Sequence, residues 1–146
     1  MLSKSPGSFI KAGDPESLKY ISTLSPSNWD AISISVGSMH SCSIVNNSTN
    51  DELMCWGDNQ FGQLGMGSTE TIGDTAGENM SVDLPPRGGT GISQVSAGYS
   101  HTCVLWDDGE IGCWGDNSYG QLGIGSSTDI GDQAGEMGEN LVLVDY

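Results

Sequence analysis

The stretch CWGDNQFGQLGMGS, Cys55 to Ser68, returns as CWGDNSYGQLGIGS, Cys113 to Ser126, and the copies differ only at Gln60/Ser118, Phe61/Tyr119 and Met66/Ile124. A repeat of this fidelity within 146 residues marks stacked structural units. Each unit of such a stack leaves an apolar face that only a neighbour covers.

The match extends in both directions. Upstream, SVGSMHSC (Ser35 to Cys42) corresponds to SAGYSHTC (Ser96 to Cys103), which places His101 61 residues after His40; between Cys55 and Cys113 the spacing is 58. The difference falls where NNSTNDE (Asn46 to Glu52) stands opposite the shorter WDDGE (Trp106 to Glu110), as expected of a surface turn between fixed strands. Downstream, each motif leads into an acidic, glycine-punctuated loop, IGDTAGEN or IGDQAGEMGEN, and then a short apolar run, MSVDL or LVLVDY.

Ile92, Gln94 and Ser96 alternate with Ser93, Val95 and Ala97 until Gly98 breaks the run. His101 to Trp106 is rich in strand formers, Asp107 to Gly109 forms a turn, and Glu110 to Gly115 returns. Each copy therefore reads as four short strands without helical periodicity, the pattern of a propeller blade. Trp56/Trp114 and Leu64/Leu122 supply apolar anchors, and the glycines at 57, 62, 65 and 67 and at 115, 120, 123 and 125 allow tight turns and close backbone approach. The motif is expected to be a folding device used once per blade.

Val95 to Gly125, VSAGYSHTCVLWDDGEIGCWGDNSYGQLGIG, resembles the repeat of the regulator of chromosome condensation family. The shared pattern is a small-residue strand ending in Ala-Gly, then His-Thr, a hairpin, and Trp-Gly-x-Asn-x-x-Gly-Gln-Leu-Gly. The first copy departs from it at Val36, where the family prefers Ala. The resemblance covers residues 29–146 and implies structural roles for His40, Trp56, Gly57, Asn59, Gly62, Gln63, Leu64 and Gly65, and for His101, Trp114, Gly115, Asn117, Gly120, Gln121, Leu122 and Gly123. It divides the chain into a first repeat over 29–87 and a second over 88–146, after an N-terminal segment, 1–28, read as an extra strand or an inter-chain arm.

Members of that family resemble one another in closing rings, usually of seven blades. The expected fold is thus all-β, with two four-stranded propeller-type blades that need further blades from other chains or a longer parent. Copies contributing two blades each give an even number on closure, or an open array where the rotation does not close. Leu141, Val142, Leu143 and Val144 are expected to form an open strand that pairs with a neighbouring chain.

The chain holds 19 acidic and four basic residues, a formal charge of −15, and three of the four cations are Lys4, Lys11 and Lys19. Only Arg87 follows them. Such a surface repels phosphate backbones and anionic lipid, so no nucleic-acid or membrane partner is expected. No run has the length of a membrane span, and the first residues lack the apolar core of a secretory signal.

Around a hairpin centred on Asp108, Cys103 falls opposite Cys113, and the longer first hairpin similarly sets Cys42 opposite Cys55. Two intra-blade disulfides are expected, against buried free thiols as the alternative. Disulfides imply an oxidising compartment and hence an extracellular or cell-surface protein. His40 and His101 precede Cys42 and Cys103 by two positions, on the same strand face; a zinc set built from them lacks a fourth ligand. Asp74 and Glu78, repeated as Asp132 and Glu136, lie beside turn glycines and are candidate calcium ligands, although their order does not match an EF-hand. No other cofactor is expected. Asp58 and Asp116 read as turn residues, and Asn46, Asn47 and Asn79 open glycosylation sequons.

No phosphate-binding loop, dinucleotide fingerprint or nucleophile elbow is present. The expected function is that of a non-enzymatic module for protein–protein contact and self-assembly, an exported subunit of a ring or filament. The alternatives are nucleotide exchange on a small GTPase, which the resemblance to the family's eponymous member implies, and a secreted inhibitor or adhesion propeller fragment.

Overall fold

The computed structural model describes residues 29–46 and 50–146. The segment read as an arm, 1–28, and the sequon at Asn47 lie outside the described residues. Two antiparallel meanders of three strands follow one another. The first contains β1 (Asp30–Val36), β2 (His40–Asn46) and β3 (Asp51–Gly57); the second contains β4 (Ile92–Ala97), β5 (His101–Trp106) and β6 (Ile111–Gly115). The chain is all-β in these blades, and one 3₁₀ turn, Gly138–Asn140, precedes the last apolar run. Among the described residues no helix is long and apolar enough to cross a membrane.

The expected fourth strand of each blade is a weaker lane than the pattern indicates. Along the outer side of β3 the chain makes two separate bridges, Gly57 to Ile72 and Met54 to Ser81; along β6 it makes Gly115 to Ile130 and Gly112 to Leu143. The acidic loop intervenes between the bridges of each pair, so continuous pairing never develops. A few separate bonds hold the lane, among them Val82 N–H to the Leu53 carbonyl at 2.9 Å, Val144 N–H to the Ile111 carbonyl at 2.9 Å and the two that Gly57 and Ile72 exchange.

Simple alternation also fails in β4. Ile92 and Val95 are both buried although they stand on opposite faces of a regular strand. A register shift between Ile92 and Gln94 re-phases the strand, and the same shift occurs between Ala31 and Ser33 in β1. An extra residue in one strand of a pair has this effect.

The hairpin register agrees with the turn count: Cys42 pairs with Cys55 and Cys103 with Cys113. Both pairs are disulfide-bonded, with Cα separations of 4.2 and 4.1 Å. One core joins the blades. Ile44, Leu53 and Leu64 of the first copy meet Val95, Val104, Trp106 and Trp114 of the second, and Val82, Met137 and Leu141 close it from the outer lane. Full burial of such side chains contributes roughly 1.5–3 kcal/mol each.

Candidate functional site

The site that the fold builds with most care is the contact between the blades. It begins with the repeated motif, which turns twice in succession: Gly62 N–H bonds the Asn59 carbonyl at 3.0 Å, and Gly65 N–H bonds the Gly62 carbonyl at 2.8 Å. The Asn59 side chain accepts from Leu64 N–H at 2.9 Å and donates to the Ser68 carbonyl at 2.8 Å, which ties the two ends of the loop together. The Gln63 side chain accepts from Phe61 N–H and donates to Asp58. Asn117, Gln121 and Asp116 repeat these roles in the second copy. Hydrogen bonds from Ser118 hold the Asp116 carboxyl below the usual carboxylate range. These polar residues shape a loop, and their atoms are spent on it.

So shaped, the first loop presents the Gln63 carbonyl to the second blade. That oxygen accepts from Thr102 Oγ1 at 2.8 Å and from Trp114 Nε1 at 3.1 Å. Thr102 Oγ1 also lies 2.9 Å from His40 Nε2. A hydroxyl carries one proton, and this one goes to Gln63, so His40 must be protonated on Nε2 and donate to Thr102. His40, Gln63, Thr102 and Trp114 are each no more than 2% exposed. The other ring nitrogen, His40 Nδ1, is buried without a partner among the described residues. Burial, together with the nearby His101, pushes the His40 pKa below its ordinary value.

Close approach explains three of the glycines. A Cβ on Gly62 would lie 2.3 Å from the Asp132 backbone nitrogen, so the loop can dock on the second blade only without one. A Cβ on Gly98 would meet the His101 ring at 2.2 Å, and one on Gly37 would meet the His40 ring at 2.4 Å, which accounts for the glycine three residues before each histidine. Further bonds reinforce the contact along β1 and β4: Ala97 N–H to Ser35 Oγ at 2.9 Å and Ser38 Oγ to the Tyr99 carbonyl at 2.5 Å.

The other candidate residues are engaged within their own blades. The four cysteine sulfurs are joined in pairs, which removes the thiolates that a zinc set needs. Glu78 accepts backbone N–H bonds from Gly73 and Thr75 at 2.6 and 3.2 Å, and Glu136 accepts from Gly131 and Gln133 at 2.9 and 3.0 Å. Each glutamate thus closes its own acidic loop with one oxygen. Asp74 is exposed beside Thr75, and desolvation with the neighbouring Glu136 raises the Asp132 pKa. Among the described residues, no three His, Cys, Asp or Glu side chains gather in a set able to hold a metal ion. Leu141 to Val144 lie against their own blade: Leu141 is buried in the core, Leu143 bridges Gly112, and Val142 is half exposed. The run is therefore engaged along one side by its own β6.

An open groove of about 540 Å³ separates the outer ends of the blades, lined by Asp51, Glu52, Asp83, Arg87 and Trp106 among others. Arg87 lies 4.6 Å from the centre of the Trp106 ring and pairs with Asp108 at 3.1 Å. This cation fastens the linker to the second blade.

Comparison with known proteins bears on the same residues. Two family models described as regulator of chromosome condensation (RCC1) repeat match the chain, one over residues 31–63 and 92–121 and the other over 50–105. The chain belongs to the regulator of chromosome condensation repeat family. Its RCC1 repeats are 33% identical over 115 residues to human probable E3 ubiquitin-protein ligase HERC4, a match covering 79% of this chain and 10% of that protein. They are 38% identical over 78 residues to the Arabidopsis thaliana ultraviolet-B receptor UVR8, covering 53% and 16%. Human WBSCR16 superposes with a TM-score of 0.50 at 24% identity, covering 71% of this chain and 25% of that structure, which shows the shared fold. The chain thus spans a quarter or less of each of these relatives. Its fold is that of partial propeller blades.

Proposed function

We propose that the chain is a non-enzymatic propeller-repeat subunit that works through contact with other proteins, chiefly copies of itself, and that it is exported and builds a ring or filament. One observation carries this reading. Ile32, Ile34 and Val36 of β1 are 58, 65 and 67% exposed, and Met39 beyond them is 73% exposed. In the second copy the position matching Ile34 is Val95, which is 4% exposed because the first blade covers it. A row of large apolar side chains whose central member, Ile34, has a buried counterpart calls for a covering protein. Two disulfides support an oxidising compartment, where such bonds persist.

The test is the native mass of the chain by light scattering with and without reductant, at several salt concentrations. A discrete species with an even number of blades, or a filament, is the expected result. A monomer at every concentration overturns the self-assembly reading, and recovery of the protein only from a reducing compartment overturns export.

A further inference from the structure

We propose that the two ends of this chain are complementary halves of one contact, so that the second blade of one copy docks on the first blade of the next copy as the first docks on the second within the chain. This rests on the self-assembly reading above and names the surfaces that carry it. The internal contact supplies the template: His40 and the Gln63 carbonyl on one side, Thr102 and Trp114 on the other. All four groups have a counterpart at the corresponding position of the other repeat. His101 and Gln121 match the first pair, and Ser41 and Trp56 match the second, since Ser41 pairs across the sheet with Trp56 as Thr102 does with Trp114.

Each internal residue is buried, and each counterpart is half exposed. The backbone follows the same rule. Gly62 and Gly65 are buried against the second blade, whereas Gly120 and Gly123 are exposed; Gly115 and Gly131 are buried, whereas Gly57 is half exposed and Gly73 is exposed. One end of the chain therefore carries an unused loop with a hydroxyl-seeking carbonyl at Gln121. The opposite end carries an unused hydroxyl and indole at Ser41 and Trp56, beside the uncovered Ile34.

Chemistry at these positions is preserved. Ser41 retains a hydroxyl able to accept from a histidine and donate to a carbonyl, and Trp56 retains an indole N–H. The Asp74 segment repeats the Asp132 segment against which Gly62 docks. The contact differs in one respect: Asn79 stands where Met137 packs against Gly65, so the inter-copy junction loses part of its apolar filling. Two different surfaces meet, which makes the junction head-to-tail and the product a ring or an open array.

Two variants test the assignment. Ile34→Arg places a charge on the half bearing Trp56 at a side chain exposed in the folded chain. Gly120→Asn places a Cβ where the counterpart Gly62 tolerates none; Asn is the residue after glycine that best adopts positive φ, here +72°. Circular dichroism and thermal unfolding establish that each variant is folded; should Gly120→Asn be unfolded, Tyr119→Lys, at a side chain 94% exposed on the same loop, replaces it. Sedimentation velocity is expected to show each folded variant alone as a monomer. A 1:1 mixture is expected to give a heterodimer that does not grow further, because it contains one intact pair of halves. If the unmodified chain assembles but both variants still do, or if one variant alone forms a dimer, self-assembly stands and the head-to-tail assignment fails. If the unmodified chain is a monomer, the underlying reading fails.

Discussion

Replacing Thr102 by Val tests the physical core of the blade contact, because the two side chains have nearly the same shape and differ by one hydroxyl. In the wild type that hydroxyl gives its proton to the Gln63 carbonyl and accepts from His40 Nε2. Without it, Gln63 keeps its bond from Trp114, whereas His40 loses its Nε2 acceptor in a site where its Nδ1 already has no partner among the described residues. A buried donor left unsatisfied costs about 1–3 kcal/mol, and the extra methyl group recovers at most about 0.8 kcal/mol, so a net loss of about 1–2 kcal/mol is expected. The control is Ser41→Val. It makes the corresponding change at a half-exposed position and should alter stability by less than about 0.5 kcal/mol. Urea unfolding at pH 7.5 and the lowest workable protein concentration measures both without a contribution from assembly. Thr102→Ser, which keeps the hydroxyl, should recover most of the loss. Equal stability of Thr102→Val and wild type, with unchanged slope, would refute the account of the hydrogen-bonded quartet.

Removing the second disulfide by the double replacement Cys103→Ser and Cys113→Ser, which are ten residues apart in sequence, should lower stability by about 3 kcal/mol, as loop-closure entropy predicts; a loss below about 1 kcal/mol contradicts it. His40 has a depressed pKa in the folded state, so the unfolded chain binds the extra proton first. Its contribution is complete above pH 6.5 and is lost as the pH falls below it, by up to about 1.4 kcal/mol per pH unit. The difference between wild type and His40→Gln, measured by urea midpoints from pH 7.5 to 5.5, should therefore shrink on acidification; a constant difference argues against a neutral buried imidazole. Leu64→Ala, which empties a fully buried position beneath the loop, should cost about 2–5 kcal/mol by thermal or urea unfolding, and a cost under 1 kcal/mol would mean that the loop collapses onto the gap.

Local chemistry carried much of the fold into plain view. A three-residue turn centred on Asp108 fixes which residues face each other across β5 and β6, so the cysteine pairing follows from counting. The His-x-Cys and Trp-Gly motifs also place β2, β3, β5 and β6 correctly, since glycine and the disulfides bound them. The re-phasing at Ile92 and Ala31 is less accessible, because a single extra residue leaves no side-chain signature. The outer lane fails for a related reason: MSVDL and LVLVDY have strand composition, but their pairing depends on how far the acidic loop carries them from β3 and β6.

At the blade contact, the loop-forming role of Asn59 and Gln63 is legible in the repeated motif. The key acceptor is not, because it is the backbone carbonyl of Gln63, an atom that every residue possesses. Its donors, Thr102 and Trp114, come from another repeat and meet it only after both sheets have formed. The sequence signal available was the pairing of His with a hydroxyl residue in both copies, His40-Ser41 and His101-Thr102. Glu78 and Glu136 show the converse case: carboxylates beside glycines suit cations and turns equally by composition, and here their oxygens bind the loop backbone.

The native mass of the unmodified chain in solution, followed by light scattering as salt is raised, tests the central claim most directly. The formal charge of −15 makes copies repel one another, and screening weakens that repulsion, so the account predicts an assembly with an even number of blades or a growing array, favoured by salt. A single-chain mass at every protein and salt concentration would contradict it.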